Sequence, residues 1–291
     1  MPERLIPALL ILLAVFLSLF AVYLFLIRTR PASKLIAAYR GVAFAHRGLH
    51  GEGRAENSLS AFAAARDAGF GIELDVRLSK DSEMVVFHDD TLTRVAGIDK
   101  RVDELTLEEL KACRLSGTDD TVPTLREVLE LINGRVPLLI EIKEDAGKSA
   151  VTETLVREIA GYGGPYIVES FNPISLKTFR RLRPDVPIGI LSQHFCRRDE
   201  YRGKALYFIL QNMLVNFLSV PDFVAYDHTD SDMLSLRLAR SLFGTVTVAW
   251  TVRSEEEGRA SKKHKFDSII FENYIPEDGR ADVASLPKYV N

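Results

Sequence analysis

From Val42 onward, short apolar runs alternate with amphipathic segments, and this regularity limits the fold more than any other feature of the chain. Strand-like runs occupy 42–45, 71–76, 84–87, 137–142, 166–170, 188–191, 223–226, 245–252 and 268–272. Helical spacing occupies 58–68, 124–132, 149–160, 175–182, 232–242 and 255–263. Strand-helix alternation of this kind builds a parallel α/β sheet, and the number of units favours a closed (β/α)8 TIM-type barrel over an open sheet. The Gly-rich fingerprint of a dinucleotide fold is absent. A chain of 291 residues, 47% hydrophobic and 26% charged, suits one barrel-sized domain plus something short. The net charge of -3 gives no nucleic-acid footprint. Cys113 and Cys196 match no zinc or redox spacing and read as two free thiols.

Chemistry concentrates in residues 42–94. In GIELDVRL, Glu73 and Asp75 alternate with Ile72, Leu74 and Val76, so on a strand both acids share one face. Two adjacent carboxylates raise each other's pKa unless a cation lies between them, which points to a divalent metal with oxygen ligands. The alternative is a half-exposed edge strand with solvated acids. His46 and His88 each follow a four-residue apolar run, 42–45 and 84–87, and so sit at the C-terminal ends of buried strands. Two histidines bracketing an acid pair are the parts for general acid-base work at a metal. Arg47 offers a planar fork for phosphate oxygens, and Gly48 allows close backbone approach. Further on, Glu141 and Lys143 share a face opposite Ile140 and Ile142, which places charge inside a barrel; a structural ion pair is the other reading.

These residues carry a resemblance. His46-Arg47-Gly48, Glu56-Asn57-Ser58, Glu73-Leu74-Asp75-Val76, Lys80-Asp81, Val85-Val86-Phe87-His88-Asp89 and Thr91-Leu92-Thr93-Arg94 together resemble the glycerophosphodiester phosphodiesterases. The resemblance implies metal-dependent hydrolysis of glycerophosphodiesters to sn-glycerol 3-phosphate and an alcohol. It implies His46 and His88 as the catalytic pair, and one divalent ion, Ca2+ or Mg2+, on Glu73, Asp75 and Glu141. Arg47 and Lys143 would then face the phosphate, and Trp250, in a stretch similar to the family's tryptophan-threonine strand, the alcohol moiety. In relatives the substrate's own 2-hydroxyl attacks first and water opens the cyclic phosphate. A small insertion, about 90–122, is implied beside the mouth. The last strand departs from the family: Phe271-Glu272-Asn273 stand where a threonine-aspartate pair is common. Two other functions compete: lysophospholipase D-type cleavage of lysophospholipids on the same scaffold, and a catalytically inactive membrane-anchored binding protein.

The N-terminus is a separate unit. Residues 5–27 are almost wholly apolar and long enough to cross a hydrocarbon core of about 30 Å. They exceed the roughly 7 to 15 apolar residues of a cleavable signal and no small-x-small site follows, so a single-pass transmembrane helix is expected. Arg28, Arg30 and Lys34 follow the span and Arg4 precedes it, which favours a cytoplasmic catalytic domain. The expected organisation is an anchor over 1–28, a linker over 29–40 and the barrel domain over 41–291. Residues 205–220, unusually apolar, read as a barrel helix buried on several sides, with contact at a bilayer interface as the alternative. Oligomeric state leaves no signature in the sequence.

Overall fold

The computed structural model describes residues 2–31, 34–145 and 148–289. Of the expected anchor, linker and barrel segments, Met1, Ala32, Ser33, Ala146, Gly147, Val290 and Asn291 lie outside the described residues. The strands are β1 (Ala43–Ala45), β2 (Gly71–Leu78), β3 (Met84–Val86), β4 (Leu138–Ile142), β5 (Tyr166–Ser170), β6 (Ile188–Ser192), β7 (Phe223–Asp227), β8 (Val246–Val252) and β9 (Ser268–Phe271). Parallel pairing runs β1-β2-β4-β5-β6-β7-β8-β9 and returns to β1, closing an eight-stranded TIM-type barrel.

β3 is the exception. It lies antiparallel on the far end of β2, with Val86 opposite Val76 and Met84 opposite Leu78, and is no barrel stave. The expectation that His88 closes a strand of the barrel is therefore corrected. β2 overruns the barrel rim, the chain folds back, and Phe87 donates its N–H to the Asp75 carbonyl (2.9 Å), which returns His88 to the level of Asp75.

Alternation along each stave sorts the side chains. Ile72, Leu74 and Val76 of β2 and Leu138, Ile140 and Ile142 of β4 are buried in the layer between barrel and helices. Phe44, Leu139, Ile167, Phe223 and Val248 fill the interior. The interior crowding leaves no room for larger residues: a Cβ on Gly189 would stand 2.1 Å from the Phe223 ring. Ile36 and Tyr39 join this interior cluster, so part of the stretch expected as a linker closes the barrel floor.

Helices begin where the sequence supplies caps. The Ser58 hydroxyl accepts from Ala61 N–H (3.2 Å) to start the helix Leu59–Ala68, and Thr124 with Glu127 forms a capping box for Leu125–Ile132. Thr106 and Glu109 do the same for the short helix Leu107–Lys111. Around it Phe87, Val95, Val102, Leu110 and Val122 pack as a satellite core beside the barrel. Both cysteines are free.

The apolar N-terminal helix spans Pro2–Ile27. Over Ile6–Ile27 it is long and apolar enough to cross a membrane, and its side chains are exposed over 6–20, while its C-terminal end is built into the barrel. Ile27 is fully buried, Asn216 donates to the Ile27 carbonyl (3.4 Å), and the Phe25 and Phe217 rings lie 5.8 Å apart. This packing explains a second correction. Residues 205–220 do not form a buried helix but a short helix, Ala205–Gln211, followed by a turn and a 3-10 segment, Asn216–Leu218. Leu206 and Phe208 are 59% and 55% exposed. The chain breaks because Met213 and Val220 take positive φ, and the N-terminal helix packs against the broken end.

Candidate active site

Neighbouring staves bring the acids together. Parallel register sets Asp75 opposite Glu141 and Glu141 opposite Glu169, all facing inward, with Glu73 one inward position below Asp75. All four are buried, which rules out the solvated edge-strand alternative. Oxygens of Glu73, Asp75 and Glu141 lie within 4.8 Å of one another. Lys143 reaches both Glu141 Oε1 (2.6 Å) and Asp75 Oδ1 (3.2 Å), so the ion-pair reading of Glu141 and Lys143 and the metal reading describe the same cluster.

Arg47 completes the rim. It takes positive φ directly before Gly48, and its backbone N–H donates to Glu73 Oε2 (2.9 Å). Its guanidinium donates to Glu56 Oε1 (2.7 Å), and its Nε lies 3.6 Å from Asp75 Oδ2. Asn57 donates to the same Asp75 oxygen (2.8 Å). Gly48 is required here: a Cβ would come within 2.8 Å of the Ala61 carbonyl carbon on a backbone with φ of +83°. Gly48→Ala should destabilise the fold by about 1–3 kcal/mol, read as a lower urea midpoint at unchanged slope; an unchanged midpoint contradicts the close approach.

The imidazoles are held alike. His46 Nδ1 lies 2.5 Å from Glu272 Oε2, and His88 Nδ1 lies 2.6 Å from Asp89 Oδ1. Each carboxylate therefore occupies Nδ1 and leaves Nε2 free. Arg94 locks the second pair, donating to Asp89 Oδ2 (2.7 Å) and to both oxygens of Glu56 (2.6 and 2.7 Å). Both imidazoles, Arg47, Lys143 and Trp250 line one cavity of about 180 Å³ with the buried acids. A wider cleft of about 380 Å³ opens beside it, lined by His50, Arg54, Glu272 and Tyr274. The Trp250 ring meets the Phe171 ring edge-on at 5.6 Å.

Burial shapes the charges. Glu73 is pushed well above the carboxylate range by burial and then by Asp75 and Glu141. Glu169 is pushed the same way by burial and then by Glu141 and Glu73. Glu141 is also raised by burial, against the pull of Lys143. For Asp75 burial is overcome by the Lys143, His88 and Arg47 charges, and its carboxyl is held far below the usual range. Burial pulls His46 below the ordinary imidazole value, with Glu272 opposing. His88 falls further, to about 4, through burial and then the Lys143 and Arg47 cations, against Asp75.

A divalent cation fits this donor set. Four buried carboxylates face two cationic side chains, and Glu169 Oε2 is buried without a hydrogen-bond partner. Hard oxygen donors with surplus negative charge suit Ca2+ or Mg2+.

The profile of the glycerophosphoryl diester phosphodiesterase family matches residues 46–275. The chain belongs to that family. As a glycerophosphodiester phosphodiesterase it is a phosphoric diester hydrolase. It is 36% identical over 166 residues to a glycerophosphodiester phosphodiesterase of Caldanaerobacter subterraneus, covering 52% of this chain and 67% of that one. A lysophospholipase D of Rattus norvegicus is 37% identical over 111 residues, 34% of this chain and 35% of that one. The structure of an Oleispira antarctica phosphodiesterase, in complex with the product sn-glycerol-3-phosphate, superposes with a TM-score of 0.68 at 22% identity, covering 86% of this chain and 97% of that one, and shares the fold.

The phosphodiesterase mouth thus gathers every residue singled out in the sequence: His46, Arg47, Glu73, His88, Glu141, Lys143 and Trp250 line the cavity, and Asp75 lies beneath it. Three groups have roles that the sequence did not show. Glu169 was legible, because in YIVES it alternates with Tyr166, Val168 and Ser170 just as Glu141 does in its strand. Glu272 stands where the last strand departs from the family, and only the closed barrel brings it to His46. Glu56, Asp89 and Arg94 stand in the motifs that carry the resemblance, but their pairing joins residues up to 38 apart and had no local signal.

Proposed function

We propose that this phosphodiesterase cleaves glycerophosphodiesters to sn-glycerol 3-phosphate and a free alcohol with one divalent ion, Ca2+ or Mg2+, held by Glu73, Asp75 and Glu141. The observation that carries the reading is the buried convergence of Glu73, Asp75 and Glu141, whose oxygens lie within 4.8 Å of one another under two imidazoles. When bound, the ion supplies Lewis-acid neutralisation of the phosphodiester charge. Arg47 and Lys143 hold the remaining phosphate oxygens as charge builds, and Trp250 packs against the alcohol side.

The environments of the histidines divide the labour. His88, pulled to about 4, is neutral at working pH and takes the proton of the attacking hydroxyl, either the substrate's 2-hydroxyl or water. His46 is lowered too, against the pull of Glu272, and in this reading it carries the proton delivered to the departing oxygen. Glu272→Gln removes the group that raises His46, so the limb of the kcat/KM pH profile at which His46 loses its proton should move to lower pH. A limb that stays in place or moves up overturns this assignment.

The N-terminal helix is proposed to span a membrane and tether the barrel. Its end being built into the helix layer supports retention, since a cleaved leader has no reason to carry Ile27 into the core. A second substrate reading, lysophospholipids, draws on the aromatic wall that leaves the site from Trp250 through Phe171 to Phe195 (5.6 and 6.1 Å between rings). Parallel assays of glycerophosphocholine and lysophosphatidylcholine under saturating Ca2+ or Mg2+ separate the two; activity on neither, with the metal bound, defeats both.

A further inference from the structure

The N-terminal helix has a direction relative to the barrel. The Thr29 hydroxyl lies 2.5 Å from that of Thr245, which precedes β8 and so belongs to the floor. The backbone N–H of Arg30 donates to the carbonyl of Pro221, just before β7 (2.9 Å), again at the floor. Six residues earlier, the Tyr23 phenol lies beside Ser235, in the first turn of the helix Leu234–Phe243 that follows the mouth end of β7. The N-terminal helix therefore climbs the outside of the barrel antiparallel to Leu234–Phe243, from floor to mouth. Residues 2–22 project past the mouth.

Helix length then constrains depth. With Tyr23 to Ile27 against the barrel, residues 6–22 remain, about 25 Å of helix at 1.5 Å per residue. This falls short of a hydrocarbon core of about 30 Å, so the barrel must meet the interface with its mouth side. The side chains found there fit a lipid surface. Leu234, at the mouth end of its helix, is 58% exposed, as are Leu206 and Phe208 to a similar degree. Their helix is fixed at mouth level by Ser192, the last residue of β6, whose hydroxyl donates to the Leu210 carbonyl (3.0 Å). Directly before it stand exposed Arg198, Arg202 and Lys204 together with exposed Asp199 and Glu200, Arg202 being paired to Asp199 (3.1 Å), and the Tyr201 and Tyr207 rings lie tilted at 4.2 Å between ring centres. Basic and aromatic side chains around apolar ones match anionic headgroups over acyl chains. The aromatic wall is continuous with this surface, because Phe195 packs against Tyr207 at 5.5 Å.

We propose that the barrel docks mouth-first on the bilayer that holds its N-terminal helix, with Leu206, Phe208 and Leu234 inserted in the interfacial layer and Arg198 and Lys204 against phosphate headgroups. The active site then opens onto the lipid surface and not onto the bulk solution on the far side. The proposal rests on the reading of the N-terminal helix as a membrane span. It predicts that two ends of one helix, Leu234 at the mouth and Leu242 near the floor, differ in their access to lipid.

The test uses the full chain in nanodiscs containing phosphatidylglycerol, with Cys196→Ser to remove the less buried thiol. A bimane label is placed on Leu206→Cys, Leu234→Cys or Leu242→Cys in turn, and lipids carrying a shallow nitroxide are the quencher. Labels at 206 and 234 should lose roughly half of their fluorescence, as expected for side chains about 5–10 Å into the headgroup boundary, and the label at 242 almost none. Quenching at 242 with none at 206 and 234, or no quenching at any of the three, overturns the orientation. If the chain does not remain with the discs on size exclusion, the span itself is refuted, a separate result from a misplaced mouth.

Discussion

His88→Ala should lower kcat by about 10²- to 10⁴-fold, the usual contribution of a positioned proton-transfer group. The side chain lies at the rim, its Nδ1 taken by Asp89 and its Nε2 open to the cavity, so truncation removes a proton carrier without opening the core. Asp89 stays in place because Arg94 holds both of its oxygens (2.7 and 3.0 Å). Affinity for the divalent ion and the unfolding midpoint should stay close to wild type. Turnover within a few-fold of wild type would show that the nucleophile loses its proton elsewhere.

Glu73→Gln should act on the ion itself. A chelator should abolish turnover and added Ca2+ or Mg2+ restore it. The variant should need more ion for half-maximal activity, by at least the roughly 10- to 100-fold that loss of a lesser, outer-shell partner costs a metal site. The sign of the pH dependence follows from the buried acids. Burial and neighbouring carboxylates favour the protonated forms of Glu73 and Glu169, whereas an ion needs the ionised form. Ion affinity should therefore rise with pH, and binding should release protons, seen as a binding heat that changes with buffer ionisation enthalpy. In chelator, Glu73→Gln should be no less stable than wild type, since it replaces a carboxyl already pushed towards its neutral form and keeps an oxygen to accept from the Arg47 N–H. Equal ion requirement in variant and wild type contradicts the assignment.

Much of this was legible in the sequence because two local rules held. Period-two alternation placed Glu73, Asp75, Glu141 and Lys143 on inward faces, and barrel closure then brought them together. The nine apolar runs all became strands, yet local pattern carries no pairing information, so β3 passed for a stave when it is a hairpin arm on β2. The apolar run 205–220 misled for a related reason. Hydrophobicity there serves a surface that meets the N-terminal helix and leaves Leu206 and Phe208 open, and composition does not tell that from a buried face. The partners of the two histidines divide in the same way: Asp89 adjoins His88 in the chain, whereas Glu272 reaches His46 only through the pairing of β1 with β9.

Calorimetric titration of Ca2+ or Mg2+ into chelator-treated protein tests the central claim most directly. Wild type and His88→Ala should each bind one ion per chain, and Glu141→Gln and Glu73→Gln should bind it far more weakly. Undiminished binding by both glutamate variants, or full activity in excess chelator with no ion bound, would contradict a metal centre at the mouth of this barrel.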